Sequence, residues 1–229
     1  MKYLFSVLFL ILISCSTSIS DEPNVAHDSE EWQIWAYSKA APDFIGEFAT
    51  VVGGDGKVIR EGSNGWTCTA TLEMPEGGFE TPQHGNTLCA DEEGFKWAEA
   101  YMTGGKPNME RDAYIWMLNG DMGEDNMNSS FYGGDHDEAK MMGHFIESGA
   151  HLMLMPKDTK TIENFPTDFT TGAPYQMFKG TPYAHLMIPV DGYYDFHPDS
   201  NPCLYTHLRA HETRGNLVCR LLLEKKKGG

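Results

Sequence analysis

The residues best suited to chemistry in this chain sit in a stretch written twice. Gly149 to Asp158 reads "GAHLMLMPKD" and Tyr183 to Gly192 reads "YAHLMIPVDG", so Ala-His-Leu-Met occurs twice, each time ahead of a proline. On an extended strand alternate side chains share a face. His151, Met153 and Met155 therefore line one side, with Leu152 and Leu154 on the other. In the second copy His185 and Met187 share a side, opposite Leu186 and Ile188. If the two strands are neighbours, their imidazoles and thioethers can converge. Such soft ligands select copper, above all Cu(I), and a chain with 13 Met and 9 His suits that use. The same pattern also describes two core strands, because methionine fills irregular interiors and a buried imidazole is ordinarily satisfied by the backbone.

His144 stands before His151, in the last turn of an expected helix ending at Gly149. With His151 and His185 it would complete a three-imidazole set, the pattern of a catalytic zinc with an open position and hence of a metal- or His-dependent hydrolase. The spacing matches no standard zinc motif, and a helix-capping role fits as well. "YGGDHDE" gathers Asp135, His136, Asp137 and Glu138, and "DMGEDNMN" adds Asp121, Glu124, Asp125 and Asn128. Such groups can bind a hard cation, but their order is not that of an EF-hand, and a solvated acidic loop reads the same way. "KGTPYAH" brings Lys179, Thr181, Tyr183 and His185 to a turn ahead of a very apolar strand. That is where a small-molecule pocket can form, with Trp66, Arg60 and Asn64 of "REGSNGWTC" as further lining. No Gly-x-Ser-x-Gly is present, so a nucleophilic serine is unsupported. His207 and His211 share a face if helical, a minor metal candidate.

Elements must position these groups. Asp28 can cap a helix carrying Trp32, Trp35, Ala36 and Ala40 on one face, stopped by Pro42. "IGEFATVV", "KVIRE" and "WTCTA", split by Gly-rich turns, predict a meander. A long loop, Glu73 to Asn86, follows. Asp91 can cap a second helix with Phe95, Ala98 and Met102 on one stripe and Gly104 at its end. "AYIWML" is apolar on both faces and reads as a central strand. "EAKMMGHFIES" is helix-like, the two Ala-His-Leu-Met strands follow, and "YQMFKG" lies between them. The expected fold is α+β: a mostly antiparallel sheet with two or three helices packed on one face.

The chain as a whole narrows the setting. Its 229 residues suffice for one domain, and 41% hydrophobic residues support a core. A net charge of −16 argues against nucleic acid, whose phosphates need Lys and Arg. Lys2 followed by an apolar run to Ile13 reads as an export signal, too short to span a membrane. Leu12-Ile13-Ser14-Cys15 resembles a lipobox, which implies acylation of Cys15 and a membrane anchor; cleavage after Ser20 is the alternative. Cys68, Cys89, Cys203 and Cys219 then suggest two disulfides in an oxidising compartment, paired as sequence neighbours. The organisation is residues 1–14 signal, 15–28 polar tether, 29–200 one domain, and 201–229 a basic extension, where net charge turns from −20 to +4.

The blocks "DGKVIREGSNGWTC", "AYIWMLNGD", "GAHLMLMPKD" and "MFKGTPYAHLMIPV" resemble those of a family of uncharacterised bacterial exported proteins, in the same order. The resemblance covers roughly Trp32 to Val190, does not reach the extension, and implies no activity. The expectation is an exported cell-envelope protein of the periplasm or the outer membrane, a non-catalytic binding module whose ligand is a small molecule or a soft metal, copper or zinc. The alternatives are the hydrolase with His144, His151 and His185, and a structural envelope lipoprotein.

Overall fold

The structure, a computed structural model, describes residues 21–200. The expected signal segment, Cys15 and the basic extension with Cys203, His207, His211 and Cys219 lie outside the described residues.

Ser29 opens α1 (Glu30–Ser38): its side chain accepts the Trp32 amide, and Glu30 and Glu31 face the positive end of the helix dipole. The cap is one residue later than expected. Trp32, Ala36, Tyr37 and Ala40 are buried together as the face that meets the sheet. The end of the expected tether is packed as well. Trp32 Nε1 donates to Glu22, and His27 stacks on Trp32 at 4.5 Å and bonds the Phe79 carbonyl. Pro42 begins α2 (Asp43–Gly46), so Ile45 and Gly46 are helical where a strand was expected.

β1 (Thr50–Val52) and β2 (Val58–Arg60) form a hairpin, but the chain does not continue as a meander. β3 (Thr67–Thr69) lies parallel to β1, with Val51 opposite Cys68. Val51 and Cys68 are both sealed under α1, whereas β2 leaves Val58 half exposed and forms the sheet edge. β4 (Leu88–Ala90) returns antiparallel to β3 and sets Cys89 opposite Cys68, and the two are joined in a disulfide, as the sequence spacing suggests. This bridge fits an extracytoplasmic, oxidising compartment.

Asp91 caps α3 (Glu92–Thr103) on the Gly94 amide, and Gly104 ends it with φ +72°. Gly94 itself explains how the helix lies so close to β5 (Ala113–Met117). A Cβ there would sit 3.0 Å from Ile115 Cγ1 and 3.1 Å from the Tyr114 carbonyl oxygen. After β6 (Glu124–Asp125), helix α4 (His136–Met142) is capped by Asp135 and stopped by Gly143. It is shorter than expected: Phe145 belongs to β7 (Phe145–Ile146), which pairs with β6, and His144 lies beyond the helix. β8 (His151–Met155), β9 (Tyr175–Met177) and β10 (His185–Pro189) complete the set.

The main sheet has eight strands in the order β2-β1-β3-β4-β5-β8-β10-β9, antiparallel except between β1 and β3. The α+β class and the antiparallel sheet are as expected. The helices are not on one face. α1 covers Val51, Cys68 and Cys89, while α3 covers Leu88, Ala90 and Ile115. Successive residues of β4 point to opposite faces, so the two helices sandwich the sheet and each builds its own core. Among the described residues no helix is long and apolar enough to cross a membrane.

Candidate functional site

The two Ala-His-Leu-Met stretches are adjacent antiparallel strands. Met153 faces Met187, Leu154 faces Leu186 and His151 faces Pro189. The register places the methionines of the two copies in the middle and the histidines at opposite ends. His151 and His185 thus share a face but stand four strand positions apart, about 13 Å along the sheet. The Met153–Met187 pair lies between them. The sequence shows the common face; the distance is a property of register, which a single strand does not reveal.

Each imidazole has its own surroundings. One step beyond the Leu186–Leu154 pair, His185 faces Met155; on its other side the register pairs it with Met177 of β9. Met187 follows two residues on, on the same face. The Trp97 and Phe178 rings meet the imidazole edge-on at 5.2 and 5.4 Å. His185 Nδ1 donates to the Tyr183 carbonyl at 3.0 Å. A carbonyl only accepts, so Nδ1 carries the proton and Nε2 keeps a lone pair. Among the described residues Nε2 has no hydrogen-bond partner. Burial pulls the pKa of His185 from 6.5 down to about 4, so the ring is neutral at physiological pH.

His151 repeats the arrangement at the other end. Nδ1 donates to the Gly149 carbonyl at 2.7 Å, and Nε2 is sealed from solvent without a partner. Met117 of β5 stands opposite, and Met153 follows on the same face. Burial again dominates and brings the pKa down to about 4. The Tyr193 ring meets this imidazole edge-on at 5.9 Å. The Tyr193 hydroxyl bonds those of Tyr175 and Ser148, and the Ser148 amide donates to Asp121 at 2.9 Å. Asp121 also accepts the Gly123 amide. Asp121 is partly buried, and burial raises its pKa from 3.8 to about 6 against the pull of those two amides.

The remaining sequence candidates lie apart. His144 lines a pocket of about 240 Å³ with Asp125, Asp135, Glu138 and Met142, so it does not join the strand histidines, and the three-imidazole set is not assembled. The carboxylates of the acidic loop serve as local braces. Asp135 caps α4, Glu124 binds His136 and Ser130, and Asp125 accepts the Met127 amide. Among the described residues no group of three or more His, Cys, Asp or Glu is arranged to hold a metal. Thr181 closes the turn by donating to the Phe178 carbonyl and accepting the Tyr183 amide. Tyr183 donates to the Gly105 carbonyl and stacks on Tyr132 at 5.1 Å, while Lys179 is exposed. Trp66 packs against the α1 core, on the other side of the sheet, so the expected pocket of Lys179, Thr181, Tyr183 and Trp66 does not form. Arg60 and Asn64 are likewise used locally, on the carbonyls of Gly46, Ala49 and Ile45.

Three groups around the strand pair are not evident in the sequence: Met117, Met177 and Trp97. Met177 shares the period of its strand with Tyr175, but only the pairing of β9 with β10 sets it beside His185. A further groove, of about 640 Å³, lies between the end of α3 and Lys157 and mixes Lys96, Lys106 and Lys157 with Glu99 and Glu110. Comparison with family models, with curated proteins and with solved structures gave no match.

Proposed function

We propose that this is an exported, non-catalytic binding module of the cell envelope whose ligand is a soft monovalent metal ion, Cu(I), held at His185. One observation carries the reading. A neutral imidazole, with its tautomer fixed by the Tyr183 carbonyl and its Nε2 lone pair unpartnered, is flanked by the Met155, Met177 and Met187 positions on one sheet face. A metal-bound histidine usually donates its second ring nitrogen to just such a carbonyl. Thioethers add no charge and favour Cu(I) over harder ions. The Trp97 and Phe178 rings pack against the imidazole at 5.2 and 5.4 Å. The disulfide supports export; on this reading residues 1–14 direct it and an acylated Cys15 tethers the domain to the membrane.

The hydrolase alternative draws no support from the geometry, because His144, His151 and His185 occupy separate surroundings. The test is metal analysis of protein purified without chelator, then anaerobic Cu(I) titration against a colorimetric chelator. Replacing Met155, Met177 and Met187 with Leu conserves volume and should weaken Cu(I) binding at His185 at least tenfold. Unchanged binding refutes the assignment. Protein that takes up no Cu(I) leaves two core strands and a structural envelope protein.

A further inference from the structure

The geometry points to two soft-metal sites in the strand pair, one per imidazole, the second being His151 with Met117 and Met153. This rests on the reading of His185 given above and extends it to a stoichiometry and a second ligand set.

The pairing of the copies sets the two histidines at opposite ends of the strand pair. Metal–imidazole bonds are about 2 Å long, whereas the register separates the two histidine backbones by about 13 Å of strand, with Met153 and Met187 paired between them. Each histidine must therefore act with its own neighbours. Those neighbours are related by the approximate two-fold that passes between Met153 and Met187. Each copy supplies an imidazole and, two residues later, a thioether on the same face. Adjoining strands then add a further methionine at each end: Met117 from β5 opposite His151, and Met177 from β9 opposite His185.

An independent observation marks His151. Its Nε2 is a buried acceptor without any donor, one of four such side-chain atoms among the described residues. Nearly all buried polar atoms find a partner, and a neutral, unprotonated ring nitrogen beside a core that holds Met117 and Met153 is suited to a soft cation. The charge also finds a counterpart there. The Asp121 carboxylate is linked through Ser148 and the Tyr193 hydroxyl to the ring that packs against His151. A bound monovalent ion at this end would therefore be joined by a chain of polar groups to an anion. The ligand is a monovalent soft cation at both ends, Cu(I) or its redox-stable analogue Ag(I), with no electron transfer required.

The test counts ions. The full-length protein is titrated anaerobically with Cu(I) and, in parallel, examined with Ag(I) by native mass spectrometry. Two equivalents are expected for the wild type, one for His151→Leu, one for His185→Leu, and two fewer than wild type for the double variant. Met117→Leu with Met153→Leu keeps both imidazoles and the core volume, and should weaken one equivalent while leaving the other intact. A single wild-type equivalent that is lost in His185→Leu and kept in His151→Leu overturns the second site and leaves the first standing. No uptake overturns both. Two equivalents that persist in the double variant sit elsewhere in the chain and also overturn both.

Discussion

Acid should unfold this protein through its two core histidines. Both rings are neutral in the folded state, with pKa values lowered from 6.5 to about 4 by burial. A depressed histidine pKa means that the unfolded chain binds the proton more tightly. Each ring's stabilising contribution is therefore complete above pH 6.5 and is lost as pH falls through the interval from 6.5 to 4. Between pH 7.5 and 4.5 the loss is about 2.5 kcal/mol per histidine, about 5 kcal/mol for both. Asp121 acts in the opposite direction. Its folded pKa of about 6 lies above 3.8, so protonation favours the folded state as pH falls, contributing about 2 kcal/mol over the same interval. The net expectation is about 3 kcal/mol of destabilisation from these groups, a large share of a typical domain's stability. Urea unfolding followed by tryptophan fluorescence at pH 7.5, 6.0 and 4.5 measures it. In His151→Leu with His185→Leu the histidine share of the acid loss should vanish, leaving the gain from Asp121 against the small loss from Asp55, Glu93 and Asp135, whose pKa values are lowered by their partners. If the double variant loses as much stability as the wild type over this range, the burial argument for the histidines is wrong.

Cys68→Ala with Cys89→Ala should lower stability by about 3 kcal/mol, the loop-closure entropy for a separation of 21 residues, read by urea unfolding with a steeper slope because the uncross-linked chain exposes more surface when unfolded. Gly94→Leu should cost about 1–3 kcal/mol, because its side chain would drive α3 off Ile115 and Tyr114; Gly94→Ala should lie at the lower end or below. A Gly94→Ala protein more stable than wild type would show that α3 can shift at no cost.

Much of this fold can be read in the amino-acid order. Asp91 and Gly104 delimit α3, the two-sided apolar run at Ala113–Met117 marks a central strand, and the spacing of Cys68 and Cys89 points to their bridge. These are local signals, carried by neighbours in sequence. The misreadings are failures of locality. "IGEF" is apolar enough for a strand, yet Pro42 fixes a backbone that starts α2. Phe145 lies one helical turn from Met141, but Gly143 takes a left-handed φ and ends α4 first. The parallel β1–β3 pairing and the placement of helices on both faces depend on which strand shelters under α1, a contact between distant segments. At the candidate site, the period-two pattern correctly puts His with Met. It cannot say that antiparallel pairing would set the histidines at opposite ends, or that β5 and β9 would bring Met117 and Met177 beside them.

The position of the disulfide also bears on the order of events after export. Both sulfurs lie at zero exposure beneath Trp32, Ala36 and Tyr37, and Cys89 contacts the Tyr37 carbonyl. An oxidase, or a reductant such as dithiothreitol, needs a sulfur it can reach. Oxidation must then precede the docking of α1 or occur while that helix is lifted, and reduction of the folded protein must wait for the same opening. The rate at which the native bridge is reduced therefore times the detachment of α1 from the sheet, and Trp32→Ala should accelerate it even at protein concentrations and pH where the fold as a whole stays intact.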